Sequence, residues 1–559
     1  MAASVLGEGI SPKQHQGDVA ARLLVWALYL PPLLVLLLYF WGYLDHAWGV
    51  VTFPYQIDYG EATELSRAWL LSQGRPIYVD WSTPPYQMMN YTPLYELVLA
   101  ILVRLQGLQF FSGRLISLVS TLMGGLLIAS TALALGAGVR GALVGGLLWF
   151  VGHPVWNWGA LQRVDALAIA LELAGIAVFS DGWVRRRHHW GVWASVPLFL
   201  AAVYTRQTMV AGAFACYSYL LFRQPRLALG TIGAYVAGGL SLFALLWVMT
   251  DGLVWRNMVE GNLNRWSWAI VQYYGQPLWR LQYWAFGLAL GAVLFALVKR
   301  RAQVPALYLV ASAASALTIG KIGSNVNYLL PLWAAVCLLV GLAAGEVTWL
   351  ASRMAGRCQP HRMLAIAGRL AVHGAFSLVL LVGLQRSYHV PYVVEGDTVL
   401  TSGPAAVLER LQFARWPLWR LSPQRVRPGE LTDGYRDVYL AKPAQWEWES
   451  ARQAHAFVAA LPGDVLSEDM AFTISTGKRI YLQPFEFTQM AEQGDWDQRP
   501  LLDDIRRQHF SAVVLRFALS DDPTWHRDRI NQPMIEAIAD AYELAAEFGT
   551  YYLYRPRSR

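Results

Sequence analysis

From Leu23 to Trp41 the chain reads LLVWALYLPPLLVLLLYFW, a run without a single charge. A helix of that length spans roughly 30 Å of hydrocarbon, and no small-residue cleavage site follows it. It reads as a signal anchor, with residues 1–21 as a cytoplasmic tail. Outward from this run the same texture returns along the chain. Apolar segments at 22–42, 92–107, 113–136, 140–153, 163–183, 191–205, 207–222, 228–250, 278–298, 303–320, 326–350 and 363–385 all suit bilayer spans. The expected fold class is therefore mainly α: a polytopic transmembrane bundle of about 11–13 spans, followed by a C-terminal soluble α/β domain.

Composition agrees. Of 559 residues, 55% are hydrophobic and 15% charged, against a soluble average of about 25% charged. The 25 tryptophans suit aromatic belts at two membrane interfaces. Net charge is +7, but most carboxylates follow residue 386 while short basic clusters punctuate the apolar runs before it. That segregation is a topology signal and not a nucleic-acid-binding face. Cys216, Cys337 and Cys358 lie in or beside spans, so no disulfide supports the C-terminal domain.

Arg185-Arg186-Arg187, Arg223 with Arg226, Lys299-Arg300-Arg301 and Arg353 with Arg357 and Arg362 mark cytoplasmic loops. Tyr204–Thr208, 251–277, Gly320–Asn327 and everything after 386 then fall outside, as does the stretch ahead of Arg163. The module 22–385 would carry the membrane bundle, with 43–90 as a first outer loop and 386–559 as an extracytoplasmic α/β domain. The location is the plasma or inner membrane. One conflict arises: three spans between 92 and 163 give the wrong parity, which a re-entrant or merged segment would repair. Small residues at Gly124-Gly125 and Gly145-Gly146 suit close helix packing.

Loop 43–90 is patterned. Ala62, Leu65, Ala68 and Trp69 alternate with Glu61, Glu64 and Arg67, as in a helix lying at the interface. After 386, strand-like runs at 464–468, 511–515 and 550–554 alternate with helical stretches 448–460 and 532–548. No internal repeat, P-loop, dinucleotide motif or zinc-ligand spacing occurs.

Chemistry concentrates in a few charged positions. Asp58 and Glu61 could act as a base toward an acceptor hydroxyl, although acids at a helix start are also favoured by the helix dipole. Asp80 is a third loop carboxylate. Arg163, Asp165, Arg206 and Lys321 stand at the outer ends of spans, where ionisable residues mark a polar site or an ion pair. Three cations at one depth could hold a phosphate at headgroup level. Asn325, Asn327 and Tyr328 open a span with polar groups, and Asn262 and Arg265 in loop 251–277 are candidates for substrate contact. Glu96 and Glu172 read as buried structural partners.

Asp58-Tyr59-Gly60-Glu61, Gly74-Arg75-Pro76-Ile77-Tyr78-Val79-Asp80, Pro84-Pro85, Thr92-Pro93-Leu94-Tyr95, Arg163-Val164-Asp165, Thr205-Arg206-Gln207-Thr208 and Asn325-Val326-Asn327-Tyr328 follow one another in order. Together they resemble the GT-C superfamily of membrane glycosyltransferases, in the branch of protein O-mannosyltransferase-like and aminoarabinose transferase-like enzymes. The resemblance implies a polyprenyl-phosphate-linked sugar donor and a glycan, lipid or protein acceptor on the outer side. It puts Asp58 in the place of the catalytic acidic residue, as general base, and Arg163, Arg206 and Lys321 near the donor phosphate. The family's acidic pair is often adjacent, whereas Tyr59-Gly60 intervene here, which leaves Glu61 without a carried-over role. No cofactor is demanded; a lone Asp and Glu are compatible with a divalent metal. The alternative is a transporter or flippase of a lipid-linked or anionic solute, which would explain the intramembrane charges without the patterned first loop.

Overall fold

The structure is a computed structural model that describes residues 12–299, 304–357, 362–387, 393–395, 398–400, 443, 445–520 and 527–558. Arg300, Arg301, Cys358 and the first part of the 1–21 tail lie outside the described residues.

Fifteen helices make up the membrane part: α1 (Pro12–Thr52), α2 (Glu61–Ser72), α3 (Leu94–Gln106), α4 (Phe110–Ala134), α5 (Gly138–Leu148), α6 (His153–Trp158), α7 (Val164–Phe179), α8 (Trp190–Thr205), α9 (Ala211–Leu221), α10 (Pro225–Met249), α11 (Leu253–Met258), α12 (Trp268–Val298), α13 (Val304–Ala316), α14 (Leu330–Arg357) and α15 (Arg362–Arg386). Among the described residues seven helical segments are long and apolar enough to cross a membrane, and four shorter apolar ones accompany them. The chain is thus a polytopic helix bundle. Small residues let its helices approach closely. A Cβ on Gly125 would come within 3.0 Å of the Gly146 carbonyl oxygen, and one on Gly146 within 2.8 Å of the Gly125 carbonyl oxygen, so α4 and α5 meet backbone to backbone.

The parity conflict disappears at α3. Arg114, in the first turn of α4, donates to the carbonyls of Val50 (3.0 Å), Phe53 and Tyr55 (2.7 Å), at the outer end of α1. The start of α3 is at that end too, since Thr92 just ahead of it bonds the Val203 carbonyl at the C-terminal end of α8. Both ends of α3 therefore lie on one side, so 92–107, expected from its sequence to be a span, is not one. Its 13 residues reach only roughly 20 Å, and Gly107 at φ +84° turns the chain directly back into α4. With α3 removed from the count, the basic-loop positions among the described residues fall at one end of the bundle. Arg140, after the α4–α5 turn, stacks over Trp26 and Tyr29 near the start of α1 and reaches Thr348 late in α14, at the opposite end from Arg114.

The first loop and the C-terminal unit pack at the Arg114 end. β1 (Val393–Glu395) and β2 (Thr398–Leu400) pair as a hairpin. Further on, β3 (Val465–Ser467), β4 (Ala512–Leu515), β5 (Tyr542–Phe548) and β6 (Tyr551–Pro556) form a sheet in the order β3-β4-β6-β5, with β3 and β4 parallel and the other pairs antiparallel. Helix 445–459 matches expectation, but the stretch 532–548 divides. Its helix stops at Ala541, and 542–548 turns back through Gly549 (φ +58°) as a hairpin with β6. Trp81, Tyr86 and Met88 of the first loop are buried within the core of this unit. The loop also joins it by backbone: Tyr86 N donates to Tyr481 O at 2.8 Å and Gln483 N to Tyr86 O at 2.9 Å. Helix α2 packs between two protein layers. Its Ala62, Leu65 and Ala68 are sandwiched between Tyr95 and Leu99 of α3 and Met470, Ala471 and Ile480 above.

Candidate active site

A cavity of about 830 Å³ lies where the outer ends of α2, α6, α7, α8, α12 and α14 face the C-terminal unit. Its walls take residues from far-separated positions, because each helix end delivers one or two side chains there. Asp58, Arg163, Arg206, Lys321, Asn325, Asn327, Tyr328 and Asn262 all line it.

Asp58 is 5% exposed and accepts from the Gly60 amide at 2.9 Å, a tight turn that starts α2. The Arg163 guanidinium stands 3.4 Å from its Oδ2 and 3.8 Å from Glu64. Arg163 precedes α7 and is steadied by Tyr91 Oη at 3.2 Å and by the Trp158 ring. On another wall, Arg206 ends α8 and stacks over the Tyr328 ring at 4.2 Å. It is ion-paired to Asp165, while among the described residues its buried Nη2 atom has no hydrogen-bond partner. Buried donors are nearly always satisfied, so an orphan one beside a cavity suits an anionic ligand. Lys321 donates to Asn262, and the backbone of 265–267 pairs with 320–322, which folds loop 251–277 across the cavity. Burial, and to a lesser extent Arg206, lowers the Lys321 pKa from its ordinary value, with Tyr328 opposing.

Four charged candidates stand elsewhere. Glu61 is wholly buried behind Asp58, outside the cavity lining. It accepts two bonds from Arg114 (2.8 and 2.6 Å) and one each from the amides of Ile57 (2.8 Å), Asp58 (3.1 Å) and Gln162 (2.9 Å). Burial raises its pKa, but Arg114 and these amides bring it below the ordinary carboxylate value. A carboxylate with five donors has no lone pair to offer an acceptor, so Glu61 holds the Asp58 turn in place. Asp165, also fully buried, takes Arg206, the Trp158 indole N–H (2.6 Å) and Asn327 Nδ2 (3.1 Å); it aims Arg206. Asp80 is half exposed and pairs with Arg256 at 2.6 Å, away from the cavity. Arg265 is exposed, and its backbone carbonyl accepts the Ile322 amide. Glu172 is a buried partner of Tyr308 Oη (2.9 Å) and the Gly212 amide (2.8 Å), as its sequence position suggests.

Sequence reasoning misses the other half of the lining. Glu64 and Arg67 pair at 3.0 Å on α2, and Tyr273 and Tyr274 come from α12. Phe485, Glu486, Asp528 and Arg529 enter from the C-terminal unit. Tyr59 Oη donates to Glu486 at 3.1 Å and accepts from the Phe485 amide at 2.8 Å. Among the described residues no group of three or more His, Cys, Asp or Glu is placed to hold a metal ion.

The chain shares its fold with solved structures of another protein. Among solved structures it is similar to ArnT from Cupriavidus metallidurans in the apo state, with 14% identity and a TM-score of 0.54 over 93% of this chain and 97% of that one. The same protein bound to undecaprenyl phosphate gives 13% identity and a TM-score of 0.54 over the same shares. No protein-family model and no curated protein matches the chain.

Proposed function

We propose that this chain is a membrane glycosyltransferase that moves a sugar from a polyprenyl-phosphate-linked donor to an acceptor hydroxyl. The observation that carries the reading is one cavity with a carboxylate, Asp58, on one wall and Arg206 with a buried unpartnered N–H beside Lys321 on another. A fold shared with a protein solved with undecaprenyl phosphate supports it. The basic loops gathered at the far end of the bundle support an extracytoplasmic site and C-terminal unit in the plasma or inner membrane.

In this mechanism the acceptor oxygen attacks the anomeric carbon as the bond to the phosphate oxygen breaks. Asp58 takes the acceptor proton, and the polyprenyl phosphate leaves with the bonding pair. Arg206 and Lys321 face the charge that grows on the leaving oxygen, with Arg163 between them and Asp58. Asn325, Asn327, Tyr328 and Asn262 hold the sugar and phosphate by hydrogen bonds. A phosphate monoester leaves readily, so no general acid is required. Glycan, lipid and protein acceptors all fit this chemistry.

The test is reconstitution of the full chain with polyprenyl-phosphate sugars and acceptor mixtures, following release of lipid phosphate, with and without a chelator. Release that Asp58→Asn abolishes is expected. Scrambling of the lipid with no release under any condition would put the flippase reading in its place.

A further inference from the structure

The C-terminal unit sends one cation into the cavity, and its support can be traced strand by strand. Parallel β3 ends at Ser467, and the next residue, Glu468, stays tied to β4 through its amide to Val514 O at 2.9 Å. The Glu468 side chain is 1% exposed and accepts from the Arg516 amide at 2.9 Å through one oxygen and from Arg529 at 3.1 Å through the other. Thr488 Oγ1 fixes the Arg529 backbone at 2.6 Å. So held, the Arg529 guanidinium lies 4.3 Å over the Tyr59 ring, against the residue that follows Asp58. Burial lowers the Arg529 pKa to about 10, with the Tyr59 and Asp58 charges opposing. A rigid sheet thus presses a desolvated cation onto the turn that presents the carboxylate.

We infer that Arg529 is a positioning residue for the transfer reaction, through which the C-terminal unit fixes the Asp58-Tyr59 turn and favours the ionised carboxylate. The inference rests on the transferase reading above. The other charged groups around Asp58 and its cavity are Arg163 before α7, Glu64 and the Glu64-bound Arg67 on α2, the Glu61–Arg114 pair behind it, Arg206 and Lys321 on the far wall, and Glu486 and Asp528 from the C-terminal unit. Removing Arg529 takes away a cation that stacks on the neighbouring Tyr59 and attracts the carboxylate. Its ionised form is then less favoured, and the base is lost at a higher pH.

The experiment compares wild type, Arg529→Met and Arg529→Lys as full chains in lipid bilayers. Three quantities are read: the pH profile of sugar transfer, binding of unsubstituted polyprenyl phosphate, and the unfolding temperature. For Arg529→Met the acid limb should move up by about one pH unit and kcat should fall about tenfold, with polyprenyl phosphate binding within twofold of wild type. Arg529→Lys keeps the charge, so its limb should stay and part of the rate should return. An unmoved acid limb in Arg529→Met overturns the inference, as does a loss that only follows a lowered unfolding temperature and is the same in both variants. A wild type that releases no lipid phosphate is seen before any variant is compared; it removes the transferase reading and this inference with it.

Discussion

Gly60→Ala should disable the site while leaving the fold standing. Gly60 has φ −81° and ψ −8°, a conformation alanine adopts freely, so the backbone does not resist the change. The added methyl has nowhere to go. It would lie 1.3 Å from Arg163 Nη1, whereas ordinary contact begins near 3.4 Å. The guanidinium must therefore withdraw by the difference, about 2 Å. Withdrawal directly away from Asp58 stretches their 3.4 Å separation to about 5.4 Å. With an effective dielectric of about 20, the attraction falls from about 4.9 to about 3.1 kcal/mol. That loss of about 1.8 kcal/mol corresponds to roughly twentyfold in an equilibrium constant. The side chains of Arg163 and Asp58 are 13% and 7% exposed, so solvent does not screen most of it. A glycine-to-alanine change at a helix N-cap costs about 1 kcal/mol or less in stability. The assay is kcat/KM for lipid phosphate release beside thermal unfolding in the same detergent. Transfer should drop about twentyfold with the unfolding temperature within a few degrees. Unchanged kcat/KM would refute the reasoning, because the clash is unavoidable if Arg163 faces Asp58.

Asp58→Asn and Glu61→Gln should separate cleanly. The first should fold and lose transfer; the second should lose about 3–5 kcal/mol of stability by leaving Arg114 buried and unpaired, measured by chemical unfolding. Because Glu61 has a lowered pKa, its contribution is present above the unfolded carboxylate value and is lost as pH falls through the folded one. Arg206→Met should weaken polyprenyl phosphate binding at least tenfold and also destabilise, since Asp165 is left buried; adding Asp165→Asn should restore the unfolding temperature but not the binding. In lipid-phosphate titrations, affinity should decline with rising pH below the ordinary lysine range, as Lys321 loses its proton early, and Lys321→Arg should abolish that decline.

The sequence carries the bundle because bilayer spans are a matter of length and apolarity, and Asp58, Arg163, Arg206 and Lys321 stand out as charges where charge is costly. Three things are hidden in it. Helices α3 and α5 are nearly equal in length, yet both ends of α3 face the Arg114 side; the bonds from Arg114 to carbonyls at the end of α1 show this, and they join residues some sixty positions apart. Asp58 and Glu61 look alike in one dimension. One turn of helix turns Glu61 inward to five donors and leaves Asp58 facing the cavity. Arg529 and Glu486 lie more than four hundred residues beyond Tyr59, in a unit with no apolar signature of its own.

The backbone bonds that join Tyr86 to Tyr481 and Gln483 bear on how this protein can be re-engineered. Main-chain pairing is blind to side-chain identity, but the buried Trp81, Tyr86 and Met88 are not. A chimera that exchanges residues 443–558 alone therefore puts foreign surfaces against these three. Exchange of 53–93 together with 443–558 keeps the seam inside one parent, and puts its joints after Thr52, where α1 ends, before Leu94, where α3 begins, and ahead of residue 443.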